Sequence, residues 1–241
     1  MKKIGIIGGL SWESTIEYYR IINQETNKIL GGLHSSKIIM YSYDFALIEE
    51  LQRHEQWDKI TIILIDVAQK LINAGAEVIV IATNTLHKLA PQVQQEISVP
   101  IFHIADATAK EILKQKFNKI LLLGTKYTMQ EDFYKGKLQN EYGIEVLTPS
   151  QWEQKLIHTI IFDELCKGIK SEEAQNAILN IIDKAKAQGA DAVVLGCTEL
   201  PNLIKEASLP ILNTAQIHSI GIVEYALNQI RERVEVGLQY K

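Results

Sequence analysis

The chain repeats itself. Lys3-Ile4-Gly5-Ile6-Ile7-Gly8 recurs 116 positions later as Lys119-Ile120-Leu121-Leu122-Leu123-Gly124. Gly75-Ala76-Glu77-Val78-Ile79-Val80 recurs 114 positions later as Gly189-Ala190-Asp191-Ala192-Val193-Val194. Ser98-Val99-Pro100-Ile101 recurs 110 positions later as Ser208-Leu209-Pro210-Ile211. Three anchors in one order, with small drifts, indicate duplication of a single unit. A period above 100 residues is too long for a solenoid. The repeat instead predicts two similar domains facing each other about a pseudo-twofold axis. The expected boundaries are 1–103 plus 214–241 for the first domain and 104–213 for the second.

Each copy reads as α/β. Ile4–Ile7, Lys37–Tyr41, Val78–Ile81, Ile120–Leu123 and Ala192–Leu195 are short apolar runs without alternation, the pattern of buried parallel strands. Amphipathic stretches lie between them. Ser14-Thr15-Ile16-Glu17 has the form of a capping box and predicts a helix start. Asp58–Ala74 gathers Ile62, Ile63, Leu64, Val67, Leu71 and Ile72 near one face, and Ser171–Ala187 does the same with Ile178, Ile181 and Ile182. Alternating strands and helices argue for parallel sheets.

Composition removes several function classes. The 241 residues are 46% hydrophobic and 22% charged, an ordinary globular balance. With 25 basic against 29 acidic residues, the net charge of −4 leaves no polybasic footprint for nucleic acid. Two cysteines make neither a disulfide framework nor a cysteine-rich zinc site. The six histidines form no tight metal-ligand cluster, so no metal is expected. Gly8 and Gly9 do not complete G-x-G-x-x-G, so no dinucleotide site is expected. The apolar start runs into Trp12-Glu13 without a cleavage-like site, and no apolar run approaches a membrane span. A cytoplasmic chain without membrane contact is the expectation.

Chemistry concentrates in two equivalent turns. Ala82-Thr83-Asn84-Thr85 follows the third strand of the first copy, and Gly196-Cys197-Thr198-Glu199 follows its counterpart, with Thr83 falling on Cys197 at the 114 offset. Open α/β sheets bind ligands just past such strand ends. Both turns are expected to lead into helices whose first N–H groups would hold a carboxylate. Two groups approaching one carbon from opposite sides suit inversion by proton transfer. A thiol has an ordinary pKa of about 8.5, and helix N-termini would lower it. Cys166 lies in a helical pattern and reads as packing. Trp12 and Trp152 read as packing or interface residues.

These residues resemble the aspartate/glutamate racemase superfamily over essentially the whole chain. The resemblance is carried by Ile6-Ile7-Gly8-Gly9-Leu10-Ser11-Trp12-Glu13-Ser14-Thr15, Asn84-Thr85, Gly124-Thr125-Lys126-Tyr127-Thr128-Met129 and Gly196-Cys197-Thr198-Glu199. It implies two flavodoxin-like domains with an interdomain active site, a homodimer, and racemisation without pyridoxal phosphate, metal or nucleotide. A small amino acid is the implied partner, aspartate or glutamate. Two-cysteine members have Cys-Asn-Thr in the first turn, whereas this chain has Thr83-Asn84-Thr85. A hydroxyl is a poor resting base, so the implied catalytic pair is unequal: Cys197 competent in abstraction, Thr83 readier to donate.

The resemblance further implies that Asn84, Thr85, Thr128 and Thr198 hold the α-carboxylate and amino group. Leu10 would line the pocket through its backbone, and Glu199 would orient the Cys197 loop or cap its helix. Gln52 matches the relatives as donor to a distal carboxylate better than Arg53, which reads as a surface charge; Lys167 is a weaker alternative. His87, four residues after Thr83, reads as helix packing or as a tuner of Thr83. The rival readings are a single-cysteine decarboxylase or maleate-type isomerase of the same superfamily, and a non-catalytic small-carboxylate binding protein. Hydantoin racemisation is disfavoured, because two cysteines are expected there.

Overall fold

A computed structural model describes residues 1–238 of the chain, with side chains to residue 228. It divides into two compact units. One comprises Met1–Ala82, Leu89–His103 and the chain from His218; the other comprises Thr83–Lys88 and Ile104–Ile217. The boundaries expected from the repeat differ in the placement of Thr83–Lys88 and of residues 214–217.

The first unit runs β1 (Ile4–Gly8), α1 (Trp12–Leu30), β2 (Ile38–Ser42), α2 (Phe45–Arg53), α3 (Trp57–Asn73) and β3 (Val78–Ile81). A 3₁₀ turn over Thr85–Leu89 then leads to α4 (Ala90–Gln95). The strands pair in parallel in the order β2-β1-β3. Every residue of β1 and β3 is buried, and α3 packs Ile60, Leu64, Val67, Ala68 and Leu71 inward at helical spacing. Ile62, expected on that face, is 67% exposed. It lies about 160° round the helix from Ile60, two residues at ~100° less one turn. β2, expected to be a buried strand, has no buried residue, and Met40, Tyr41 and Ser42 are exposed, because as an edge strand it has a single neighbour.

The second unit runs α5 (Ile104–Lys114), β4 (Lys119–Gly124), α6 (Lys126–Gln130), α7 (Lys135–Tyr142), β5 (Glu145–Leu147) and α8 (Gln151–Thr159). A π turn over Ile160–Glu164 and a 3₁₀ turn over Leu165–Lys167 follow. Then come α9 (Glu172–Ala187), β6 (Ala192–Gly196), α10 (Leu200–Leu203), β7 (Ile211–Asn213) and α11 (Thr214–Leu238). The sheet is parallel in the order β5-β4-β6-β7. Successive side chains of β4 and β6 feed opposite cores. Leu121, Leu123, Val193 and Leu195 join α8, α9 and α10 on one face, while Ile120, Leu122, Ala192 and Val194 join α5 and α7 on the other. The α/β expectation with two parallel sheets therefore holds. The strands β5 and β7, three residues each, were not anticipated.

The duplication extends to individual hydrogen bonds. Ile4 pairs with Val78 as Ile120 pairs with Ala192. Glu77 N donates to Lys3 O at 2.8 Å, and Asp191 N to Lys119 O at 2.7 Å. Ile79 N donates to Pro100 O and Val193 N to Pro210 O, both at 2.9 Å. Gly75 and Gly189 each close a helix at positive φ, 99° and 86°, where a side chain would be strained.

Two local expectations change. Helix α1 begins at Trp12, not at Ser14. Ser11 is its N-cap, accepting from Ser14 N at 3.2 Å, and Ser14 is already inside the first turn. Trp12 and Trp152 are 63% and 71% exposed.

Candidate active site

The paired ends of β4 and β6 set up the site. Gly124 sits opposite Gly196 in the ladder, so Thr125 and Cys197 leave adjacent strands side by side. A Cβ on Gly124 would lie 2.7 Å from the Gly196 carbonyl oxygen, and one on Gly196 would lie 2.9 Å from the Leu123 carbonyl oxygen. Both obstacles are backbone and cannot swing aside. Glycine is required at both positions for the strand ends to come this close.

Thr125 caps α6, its hydroxyl accepting from Thr128 N at 3.4 Å. The same hydroxyl lies 3.0 Å from Thr85 Oγ1 and 3.3 Å from Thr128 Oγ1. All three threonines are buried. The structure thus joins Thr85 and Thr128, both expected at the site, through Thr125, to which the sequence pattern assigns no role. The T-x-x-T spacing at a helix start is the signal that would have found it.

Thr83, Asn84 and Thr85 belong to the same unit as Cys197. Thr83 is partly buried, and its hydroxyl forms no hydrogen bond among the described residues. Its carbonyl is held by His87 Nδ1 at 2.8 Å. A carbonyl only accepts, so His87 carries its proton on Nδ1 and clamps the Thr83 backbone, not its hydroxyl. Asn84 is buried; its Nδ2 donates to Thr214 Oγ1 at 3.0 Å, and Thr214 Oγ1 donates to Leu195 O at 2.8 Å. Leu195 lies two residues before Cys197. Thr214 was not anticipated, since in sequence it looks like an ordinary helix start.

Cys197 is buried and continues the apolar face of Val193 and Leu195. Cys166, partly buried, packs against the same cluster, as its packing reading expected. The sequence suggested a lowered thiol pKa, but the surroundings do the opposite. Burial drives it well above the ordinary range, and the neighbouring Cys166 adds to the rise. Hydrogen bonds from the backbone N–H groups of Glu199 and Leu200 pull it down, but by less. The thiol is therefore protonated at neutral pH.

The expected helices after the two turns are a 3₁₀ turn and a four-residue helix, too short to project a strong dipole. Hydroxyls and individual N–H groups are what the turns offer. Thr198 is partly buried. Glu199 precedes α10 without capping it through its side chain, and Glu199 Oε2 accepts from Asn202 at 3.2 Å.

Leu10 and Gln52 lie in the first unit, both buried. Leu10 follows Gly9, whose φ of 72° and contact with the Tyr43 backbone exclude any side chain. Arg53 beside Gln52 is exposed and lies 3.8 Å from Glu49, and Lys167 is exposed and lies 3.4 Å from Asp163. Among the described residues no His, Cys, Asp and Glu cluster could hold a metal ion, and no helix is long and apolar enough to cross a membrane.

Several known proteins are similar to this chain over most of its length. A crystal structure from Yersinia pestis, provisionally described as an Asp/Glu racemase, is 48% identical, with a TM-score of 0.87 over 94% of this chain and all of that one. An aspartate racemase homologue from Pyrococcus horikoshii is 41% identical, with a TM-score of 0.80 over 94% of this chain and 99% of that one. The broad specificity amino-acid racemase RacX of Bacillus subtilis is 26% identical over 220 residues, 88% of this chain and 92% of that protein. The Asp/Glu/Hydantoin racemase family model matches residues 7–222, and the chain belongs to that family.

Proposed function

We propose that this chain is a cofactor-independent racemase of acidic amino acids, aspartate or glutamate, working by two-base proton transfer at Cα. The observation that supports it most is the Gly124–Gly196 pairing, from which Cys197 and Thr125 leave adjacent strands, Thr125 being hydrogen-bonded to Thr85 and Thr128. Uncharged hydroxyls of Thr85, Thr128 and Thr198 suit an α-carboxylate, because they bind the anion without neutralising a thiolate. The Asn84 side-chain oxygen suits the α-ammonium. Gln52 is the neutral donor that the resemblance implies for the distal carboxylate.

In the forward direction the Cys197 thiolate takes the α-proton, and the C–H electron pair moves into the carboxylate. The Thr83 hydroxyl then delivers its proton to the opposite face of Cα and regains one from water, and the hydroxide so formed takes the α-proton from the Cys197 thiol, restoring the thiolate and the water. The reverse direction requires Thr83 to abstract, which a hydroxyl does slowly. Equilibrium between free enantiomers stays at one, so the inequality falls on kcat and KM together.

The test is incubation with each enantiomer of aspartate and glutamate in deuterated water. The expected result is deuterium at Cα together with appearance of the other enantiomer. Absence of α-exchange with all four substrates would overturn the reading. Release of carbon dioxide from a substituted malonate would replace it with decarboxylation.

A further inference from the structure

We infer that Thr214 is a positioning residue that fixes the Asn84 amide with its carbonyl oxygen turned to the substrate's α-ammonium; the inference rests on the racemase reading above. The argument is one of proton counting. Thr214 is fully buried at the start of α11. Its hydroxyl has a single proton, and that proton goes to the Leu195 carbonyl 2.8 Å away, which can only accept. Toward Asn84, 3.0 Å away, the Thr214 oxygen can therefore only accept. The atom of Asn84 facing it must be the NH₂ group. Turning the amide over would set two acceptors against each other, so the orientation follows from chemistry.

The consequence falls on the far side of the amide. Asn84 is 2% exposed, and its Oδ1 has no hydrogen-bond partner among the described residues. A buried acceptor without a donor is destabilising, and a ligand bringing an N–H there relieves it. An ammonium is the best match, being a cation with three donors and no acceptor. A carboxylate oxygen would be repelled. The locked amide therefore distinguishes the amine end of an α-amino acid from its carboxylates. Because the lock is anchored on Leu195, the amine is sensed in the frame of the strand that carries Cys197.

Threonine-to-valine exchange at 214 keeps the shape and removes the hydroxyl. With T214V, the KM of the amino acid should rise about tenfold or more, the weight of a hydrogen bond to a charged group. Binding of succinate, a dicarboxylate without an amine, measured by calorimetry, should change less than about twofold, since carboxylates do not use this oxygen. T214S, which keeps the hydroxyl, should restore the KM. Equal weakening of aspartate and succinate in T214V, or a T214S variant as impaired as T214V, would overturn the proposal. Should T214V fail to fold, wild type alone decides: succinate bound as tightly as aspartate overturns it. A wild type that binds aspartate but exchanges no α-proton would sink the racemase reading while calorimetry still reads the lock.

Discussion

The turn after β3 and the turn after β6 hold equivalent places in a duplicated scaffold, yet they are built differently. Around them the backbone is copied bond for bond, down to the Lys3–Glu77 and Lys119–Asp191 pairings. At the turn the copies part. Thr83 is partly buried, with its carbonyl clamped by His87 and its hydroxyl unengaged. Cys197 is buried in an apolar cluster, with the backbone N–H groups of Glu199 and Leu200 hydrogen-bonded to it. The strand ends part as well. Gly8 continues β1 above Thr15, whose side chain would lie 2.6 Å from an added Cβ, whereas Gly124 faces the carbonyl of Gly196. The frame is repeated, whereas the two equivalent turn positions differ, one carrying a hydroxyl and the other a buried thiol.

The comparison can be broken most forcefully at the reactive atoms. Cys197→Ala should lower racemisation about a thousandfold, within the usual range for a lost acid–base group. Thr83→Val should cost about a hundredfold and Thr83→Ser only a few-fold, since serine keeps the hydroxyl. Equal losses for Cys197→Ala and Thr83→Val in a chiral assay would mean that the two positions are not an unequal pair.

A second contrast concerns the strand ends. Gly124→Ala pushes a methyl into backbone and should destabilise by about 3 kcal/mol, whereas Gly8→Ala meets a side chain and should cost about 1 kcal/mol. Denaturant unfolding would reverse the interpretation if the first copy were the more sensitive.

The smallest effect is the pH profile. Burial raises the Cys197 pKa, so the thiolate is a minority form at neutral pH and grows about tenfold per pH unit. kcat/KM should therefore climb between pH 7 and 9. The climb should be the same for both enantiomers, because their equilibrium constant is one. A flat profile over that range would show that Cys197 is already a thiolate at pH 7, its pKa held below the ordinary thiol range.

Strand alternation and the repeat made the parallel sheets legible, because a buried parallel strand declares itself by continuous apolar residues. Three-residue strands such as β5 and β7 carry too little pattern to stand out. At the site, Cys197 was conspicuous as a thiol in a polar turn. Its raised pKa was not, since that depends on which side chains surround the sulfur. Thr125 and Thr214 were missed for a related reason. A threonine at a helix start is adequately explained by capping, and only three-dimensional contacts reveal that its hydroxyl orients another residue.

The chain's path has a consequence for its synthesis. Lys2 N donates to Ala226 O, and Tyr18 pairs with His218, whose other ring nitrogen donates to Phe102 O. Buried Ile222, Val223, Ala226 and Leu227 also belong to the first unit. Strand β1 therefore waits for α11, while every described element that the second unit contributes up to Ile217 has already emerged. The usual vectorial order, amino-terminal domain first, is reversed here: the inserted unit is the first that can close, and the outer one closes only after the residues from His218 have been made.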